Sequence, residues 1–318
     1  MKLNDIISRR SALAMIAAGP IAATTRMSSD AQAQESVKWS AGTEGPRTKV
    51  PTSAVDCHHH IYDSHFPVDP KSVLRPGDAT VADYRQLQKR LGTSRNIVVQ
   101  PSTYGIDNSL LLDALKAFGQ SARGVAVCNT SVTDAELKKL HDGGVRGLRF
   151  NIVTPGGATS LDMVEPLAKR IAPMGWHAQF NVSPAQIAER KEMFAKLPCP
   201  SVFDHMGHLV EPNGTTHPAF AVLVAMMKTG KAWVKLSGAY NDGKVGAPTY
   251  ADRTLVAQAL VREAPTRLVW GSDWPHPTEK DDNKPNDATL LDLLALWAPD
   301  AKVRNRILVN NPEKLYGF

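Results

Sequence analysis

Cysteine is scarce in this chain: three in 318 residues, Cys57, Cys128 and Cys199. They are far apart, odd in number and without C-x-x-C spacing, which argues against a disulfide scaffold or a cysteine-rich metal module. Each lies in or beside an apolar, strand-like run, so buried free thiols acting as small hydrophobes are expected. No window gathers five or more basic residues, which excludes a nucleic-acid footprint or a polybasic membrane patch. The formal charge of +6 falls to +4 when the first 33 residues, with four basic and two acidic side chains, are set aside. A balance that small names no partner. No apolar run reaches the ~20 residues of a membrane span. Internal linkers and low-complexity tracts are absent too. With 42% hydrophobic and 21% charged residues, the chain reads as an ordinary soluble globular protein.

Residues 1–33 are expected to be a leader. "SRRSALAMIAAGPIAA" places the pair Arg9–Arg10 before a weakly apolar, alanine-rich run, and "AQA" at Ala31–Ala33 is a small-x-small cleavage signal. This is the pattern of a twin-arginine (Tat) export signal, which predicts the Tat machinery as a partner and a periplasmic location. Residues 34–50 read as a tether, and 51–318 as one catalytic-sized domain.

From about residue 50 a single rhythm repeats. Eight short runs are rich in β-branched or aromatic residues: 54–59, 96–102, 124–129, 147–153, 176–182, 201–207, 232–238 and 267–273. Between them lie segments with helical spacing and helical punctuation. Gly92 follows "VADYRQLQKRL" as a C-terminal stop. Thr133 and Glu136 form a capping-box pair, and Ser183–Pro184 is an N-cap followed by proline at the first helical position. Alternating strands and helices force parallel pairing, because parallel strands need a crossover. Eight such units predict a (β/α)8 TIM barrel, with an open doubly wound sheet as the runner-up. No G-x-G-x-x-G or phosphate-binding loop follows the first strand.

A barrel's reactive residues stand at the C-terminal strand ends. The first strand ends in His58, His59 and His60; alternation puts His58 and His60 on one face and His59 on the other. The fourth supplies Arg149 and Asn151, the fifth His177, Gln179 and Asn181, and the sixth Asp204, His205 and His208. The seventh supplies Lys235, Ser237 and Tyr240, and the eighth Asp273, followed by His276. Imidazoles bind divalent metals or face oxyanions, and a strand-end carboxylate moves protons to and from water.

The ordered motifs "VDCHHHIYD", "GVRGLRFN", "FDHMGH", "VKLSGAY", "RLVWGSDWPHP" and "NNPEKLYGF" resemble the amidohydrolase superfamily. Within it they are similar to the branch of 2-pyrone-4,6-dicarboxylate lactonase, galactarolactone isomerase and sulfomuconolactone hydrolase, over roughly residues 50–318. The resemblance implies that His58 and His60 are the first-strand H-x-H pair, His205 the sixth-strand histidine and Asp273 the eighth-strand aspartate. It also implies that Arg149 meets a substrate carboxylate. Ser102, Gln179, Asn181, His208, Tyr240 and His276 are the further expected substrate contacts. The chain departs from the pyrone dicarboxylate pattern where more arginines are expected: after "GLRFN", after "DHMG" and after "SGAY" stand "IVTPGG", His208 and Asn241. A smaller, less anionic lactone is therefore expected. The metal question stays open: His58, His60, His205 and Asp273 complete a tetrahedral Zn²⁺ site, whereas members of the branch are known without metal. The expected activity is hydrolysis of a small carboxylate- or hydroxyl-bearing lactone. Lactone isomerisation, a zinc-dependent decarboxylation of the aminocarboxymuconate-semialdehyde type and non-catalytic solute binding are the alternatives.

Overall fold

The computed structural model describes residues 36–153 and 157–318. The expected export leader lies outside the described residues. Eight parallel strands form one sheet in chain order. They are β1 (Val55–His59), β2 (Arg95–Val99), β3 (Ala122–Ala126), β4 (Val145–Asn151), β5 (His177–Asn181), β6 (Ser201–Phe203), β7 (Ala232–Leu236) and β8 (Leu268–Trp270). The sheet is a nearly closed barrel. β8 returns to β1 through a parallel bridge between His59 and Trp274, with Asp273 N–H donating to the His58 carbonyl at 2.7 Å and His60 N–H to the Trp274 carbonyl at 2.8 Å.

Most crossover helices fall where helical spacing and punctuation predict them; the one between β4 and β5 is not among those predicted. α1 (Val81–Leu91) ends on Gly92 in the left-handed conformation at φ 76°. α2 spans Ser109–Phe118, and α3 (Asp134–Asp142) opens on the Thr133–Glu136 capping box. α4 is Val164–Ile171. The segment opened by Ser183 and Pro184 is not one helix but two, α5 (Pro184–Glu189) and α6 (Lys191–Lys196), jointed at Arg190. The joint brings Phe194 onto Phe180 and Phe203, with ring centroids 5.0 and 5.2 Å apart. α7 (Pro218–Lys228), α8 (Ala251–Glu263), α9 (Asp287–Trp297), α10 (Ala301–Asn305) and α11 (Asn311–Tyr316) complete the shell.

The interior has two levels. Alternate residues Val55, Cys57, Ile97, Val99, Val125, Val202, Trp233 and Val269 form an apolar layer, closed by Tyr316 of α11. Each such side chain contributes ~1.5–3 kcal/mol by leaving water. Above this layer the inward positions turn polar, and the site begins there. His177 belongs to the lower level. It is buried against Tyr316 with ring centroids 5.3 Å apart, and neither ring nitrogen has a hydrogen-bond partner among the described residues. Burial pushes it down to about 3, so it is neutral.

Residues 36–50 do not hang free as a tether. Trp39 Nε1 donates to the Asp78 carbonyl, Arg90 Nη1 to that of Gly42, and Trp274 Nε1 to that of Lys38, each at 2.8 Å. Asp292 Oδ1 accepts from Thr48 N–H at 2.7 Å. All three cysteines are free and buried. No helix among the described residues is long and apolar enough to cross a membrane.

Candidate active site

β1 is not a regular strand. Its register against β2 slips by one residue between Asp56 and His59, the mark of a bulge. Cys57 joins the apolar interior, and His58 also points inward, where it meets Asp204. Asp56 and His59 both face outward onto Tyr84 of α1. His60 is inward again. The bulge thus sets His58 and His60 on the interior face while leaving Cys57 below them. His59 stacks on Tyr84 at 3.5 Å and meets Asn96 Oδ1 at 3.0 Å, a packing role outside the barrel.

Asp56 ties this strand to the loop that carries Asp273. Its carboxylate accepts from Ser272 N–H (2.9 Å), Ser272 Oγ (2.5 Å), His58 N–H (3.1 Å) and Tyr84 Oη (2.9 Å). Gly271 is required here because a Cβ would lie 2.6 Å from His58 Cβ and 2.8 Å from His58 N. The mouth also concentrates backbone strain. His205 (φ 49°), Met206 (56°), His208 (55°), Asp242 (62°), Asp273 (65°) and His276 (56°) all adopt the left-handed region without being glycine. Such residues cost of order 1–3 kcal/mol each and cluster at functional sites.

His58, His60, His205 and Asp273 converge. His58 Nε2 and His60 Nε2 are 3.3 Å apart, and lie 3.5 and 3.6 Å from Asp273 Oδ1. His205 Nε2 is 3.8 Å from Asp273 Oδ2. Each Nδ1 is engaged behind the ring: His60 with the Val99 carbonyl at 2.8 Å, His205 with Ser237 Oγ at 3.0 Å, His58 with Asp204 Oδ1 at 3.3 Å. A carbonyl only accepts, so His60 carries a proton on Nδ1. Burial lowers His58 far below its ordinary range and His205 to about 4. Burial opposes ionisation of Asp273, but the imidazoles of His205, His60 and His58 outweigh it and hold the carboxyl well below the usual range. Burial and the charge of Asp273 keep the Tyr240 phenol protonated, and it donates to Asp273 Oδ2 at 2.6 Å.

Three of these side chains, His58, His60 and Asp273, fit a divalent metal, each offering one ligand atom within 4.8 Å of the others, while His205 groups with His58 and Asp204 instead. Zn–N bonds of about 2.0–2.1 Å imply ligand-to-ligand edges of about 3.3–3.4 Å in a tetrahedron. The His58–His60 and His58–Asp273 separations, 3.3 and 3.5 Å, are close to that. The Val99 carbonyl behind His60 is the kind of acceptor that metal-ligating histidines require at their second nitrogen.

Beneath the four side chains lies a buried charged floor. The Lys235 ammonium donates to the Cys57 carbonyl and to Gln179 Oε1, both at 2.8 Å, and stands 3.3 Å from His58 Nδ1. Asp204 accepts from Arg149 Nε at 3.3 Å and Gln179 Nε2 at 3.2 Å, with Lys235 3.7 Å away. Burial lowers Lys235 to about 8; burial opposes the charge of Asp204, but His58, Lys235 and Arg149 keep it ionised. Lys235 and Asp204 were visible as strand-end polar residues, yet nothing in the sequence marks them as partners. The one signal for Lys235 is its inward register between Trp233 and Ser237.

A cavity of about 360 Å³ opens above, lined by His60, His205 and Asp273 and walled by Ser102, Arg149, Asn151, Asn181, His208 and Tyr240. One wall is a hydrogen-bonded chain. Asp242 Oδ2 meets His208 Nδ1 (2.7 Å), His208 Nε2 meets Asn181 Oδ1 (2.6 Å), Asn181 donates to Asn151 (2.9 Å), and Asn151 to Ser102 (2.8 Å). Among the described residues Arg149 is hydrogen-bonded through Nε alone, and its guanidinium lines the cavity. Two expected substrate contacts do not reach the cavity. Gln179 is fully buried, one inward position below Asn181, and is spent on Asp204 and Lys235. His276 is fully buried behind Tyr240.

The family model for amidohydrolases matches residues 55–318. The chain is 37% identical to the 2-pyrone-4,6-dicarbaxylate hydrolase of Comamonas testosteroni, covering 87% of this chain and 94% of that protein. It is 33% identical to the 4-sulfomuconolactone hydrolase of Rhizobium radiobacter, covering 86% and 95%. The apo crystal structure of a protein from Agrobacterium tumefaciens superposes with a TM-score of 0.81 at 29% identity, covering 88% of this chain and 99% of that one.

Proposed function

The chain belongs to the amidohydrolase family and is an enzyme, and from that premise we propose that it hydrolyses a small lactone bearing one carboxylate or several hydroxyls. The observation that carries the reading is the convergence of His58, His60, His205 and Asp273 beside a cavity of about 360 Å³ that Arg149 lines. In the proposed reaction Arg149 holds the substrate carboxylate through its two amino groups. The lactone carbonyl lies against the three imidazoles, where oxyanion charge develops. Asp273, ionised at neutral pH, takes a proton from the attacking water and returns it to the leaving ring oxygen as the acyl C–O bond breaks. A divalent metal such as Zn²⁺, if bound, would be held by His58, His60 and Asp273 with His205 beside them, and would supply Lewis-acid polarisation of the carbonyl.

The low count of cationic groups in the cavity supports a substrate with fewer negative charges than a pyrone dicarboxylate. Asp242 and Glu279 line the same cavity as Arg149. We also propose export by the Tat pathway to the periplasm, on the Arg9–Arg10 pair and the Ala31–Ala33 cleavage signal.

The test is a panel of aldonolactones, aldarolactones and muconolactones, with and without chelator, followed by acid release, with elemental analysis of the purified protein. Asp273→Asn is expected to lower kcat by orders of magnitude while far-UV circular dichroism is unchanged. Turnover like that of the wild type would refute the role of Asp273. Product isomeric with the substrate, without acid release, would replace hydrolysis by isomerisation.

A further inference from the structure

Tyr240 is held from behind by groups the proposed reaction does not use. Its hydroxyl lies 2.6 Å from Asp273 Oδ2 and 3.1 Å from His276 Nδ1. A phenol has one proton. If Tyr240 gave it to His276, two oxygens would face each other at 2.6 Å with no proton between them. The proton therefore lies toward Asp273, and His276 Nδ1–H donates to the phenol oxygen. The other ring nitrogen, Nε2, stands 3.1 Å from Asp287 Oδ2, with one proton between them. Toward the cavity, donation runs from the imidazole through Tyr240 to Asp273.

The far end of this chain is dry. His276 and Asp287 are both fully buried, and Asp287 Oδ1 has no hydrogen-bond partner among the described residues. Asp287 opens α9, and its backbone N–H donates to Ser40 Oγ at 3.2 Å. Burying a carboxylate against an imidazole is costly, and an apolar pair of the same size would fill the space at least as stably. The pair makes sense if its polarity is used, and its one exit toward the cavity is the Tyr240 oxygen.

We propose that Asp287 and His276 are positioning residues that fix the Tyr240 hydroxyl as a donor to Asp273 Oδ2. One carboxylate oxygen is thereby held, and Oδ1, beside His58 and His60, is left to handle the proton of the attacking water. This rests on the reading of Asp273 as the proton carrier. It replaces the expectation that His276 touches substrate, and it adds Asp287, which lies 11 residues further along the chain.

The experiment is a double-mutant cycle in the full-length protein, using Asp287→Asn, His276→Gln, Tyr240→Phe and the pairwise combinations. Each variant is assayed for kcat and KM on the lactone the wild type turns over best, with its thermal midpoint recorded. Tyr240→Phe and Asp287→Asn are each expected to lower kcat about 10- to 100-fold, the range for losing a hydrogen bond to a charged group, with KM little changed. In the Tyr240→Phe background, Asp287→Asn should lower kcat no further. Effects that multiply in the double variant overturn the proposal, because they would reach the site by another route. A second readout needs no turnover: nitrogen NMR of ¹⁵N-histidine-labelled protein, with His276 assigned by His276→Gln. A protonated Nδ1 on His276 in the wild type supports the chain. An unprotonated Nδ1 in the wild type overturns it. A panel without turnover would refute the hydrolase reading alone and leave this readout to decide.

Discussion

Replacing Lys235 by methionine removes one charge from a site with no access to water. The stem and the apolar contacts survive that change; the ammonium does not. In the wild type Lys235 and Asp204 are both fully buried, 3.7 Å apart, and the ammonium also satisfies Gln179 and the Cys57 carbonyl at 2.8 Å. After Lys235→Met, Gln179 Oε1 loses its donor and Asp204 keeps its charge with only Arg149 Nε and Gln179 Nε2 as donors. Breaking a buried pair on one side costs about 3–5 kcal/mol. At about 2–4 °C per kcal/mol for a chain of this class, the thermal midpoint should fall by roughly 6–20 °C. Urea unfolding followed by tryptophan fluorescence checks the magnitude. Adding Asp204→Asn removes the stranded charge, so the double variant should lose about 1–3 kcal/mol less than the two single losses combined. A loss below about 1 kcal/mol for Lys235→Met, or strict additivity in the double, would refute the idea that the floor is held together by its charges.

Three further outcomes follow from the packing. Gly271→Ala should force β1 and β8 apart at His58, because the new methyl would meet backbone atoms at 2.8 and 3.1 Å. A loss of about 1–3 kcal/mol, together with a fall in kcat, is expected, and an unchanged midpoint would contradict the seam. Gly147→Ala should destabilise without touching the mouth, since its Cβ would stand 2.5 Å from the buried ring of His177; a drop in activity larger than the drop in stability explains would argue otherwise. The thiols should resist alkylation in the native state, because burial pushes Cys128 up to about 12 and Cys199 to about 11. Disulfide-exchange titration at pH 8 should find no fast-reacting thiol before denaturant is added and three after it.

Much of the fold is legible because its signals are local. Each of the eight β-branched runs sits where a strand forms, and Gly92, Thr133 and Ser183 punctuate helices as their side chains and φ angles require. The pairing of His58 with His60 was legible from alternation, although the strand reaches that outcome through a bulge that no residue in "VDCHHH" announces. What stayed hidden depends on distance in the chain. Asp204 and Lys235 meet across two strands, His208 finds Asp242 from the next loop, and His276 turns away from the cavity to Asp287. The sequence put Gln179 on the same inward face as Asn181, which is correct, but its depth decides its role. One inward step lower on a strand is the difference between meeting a ligand and neutralising a buried charge.

The segment before β1 carries a practical lesson. The family match begins at residue 55, and a fragment cut there would look complete by homology. It would also lose Lys38, Trp39, Ser40 and Gly42, which hold Trp274, Asp78, Asp287 and Arg90. Trp274 follows Asp273 directly, and Asp287 anchors the chain of side chains behind Tyr240. Trimming to the homologous core would therefore wet the back of the active site from outside the barrel, and a preparation so shortened would report a weaker enzyme than the organism makes. The boundary drawn by kinship and the boundary drawn by packing, where Val37 is already buried, differ here by nearly twenty residues, and only the second keeps Trp274 and Asp287 covered.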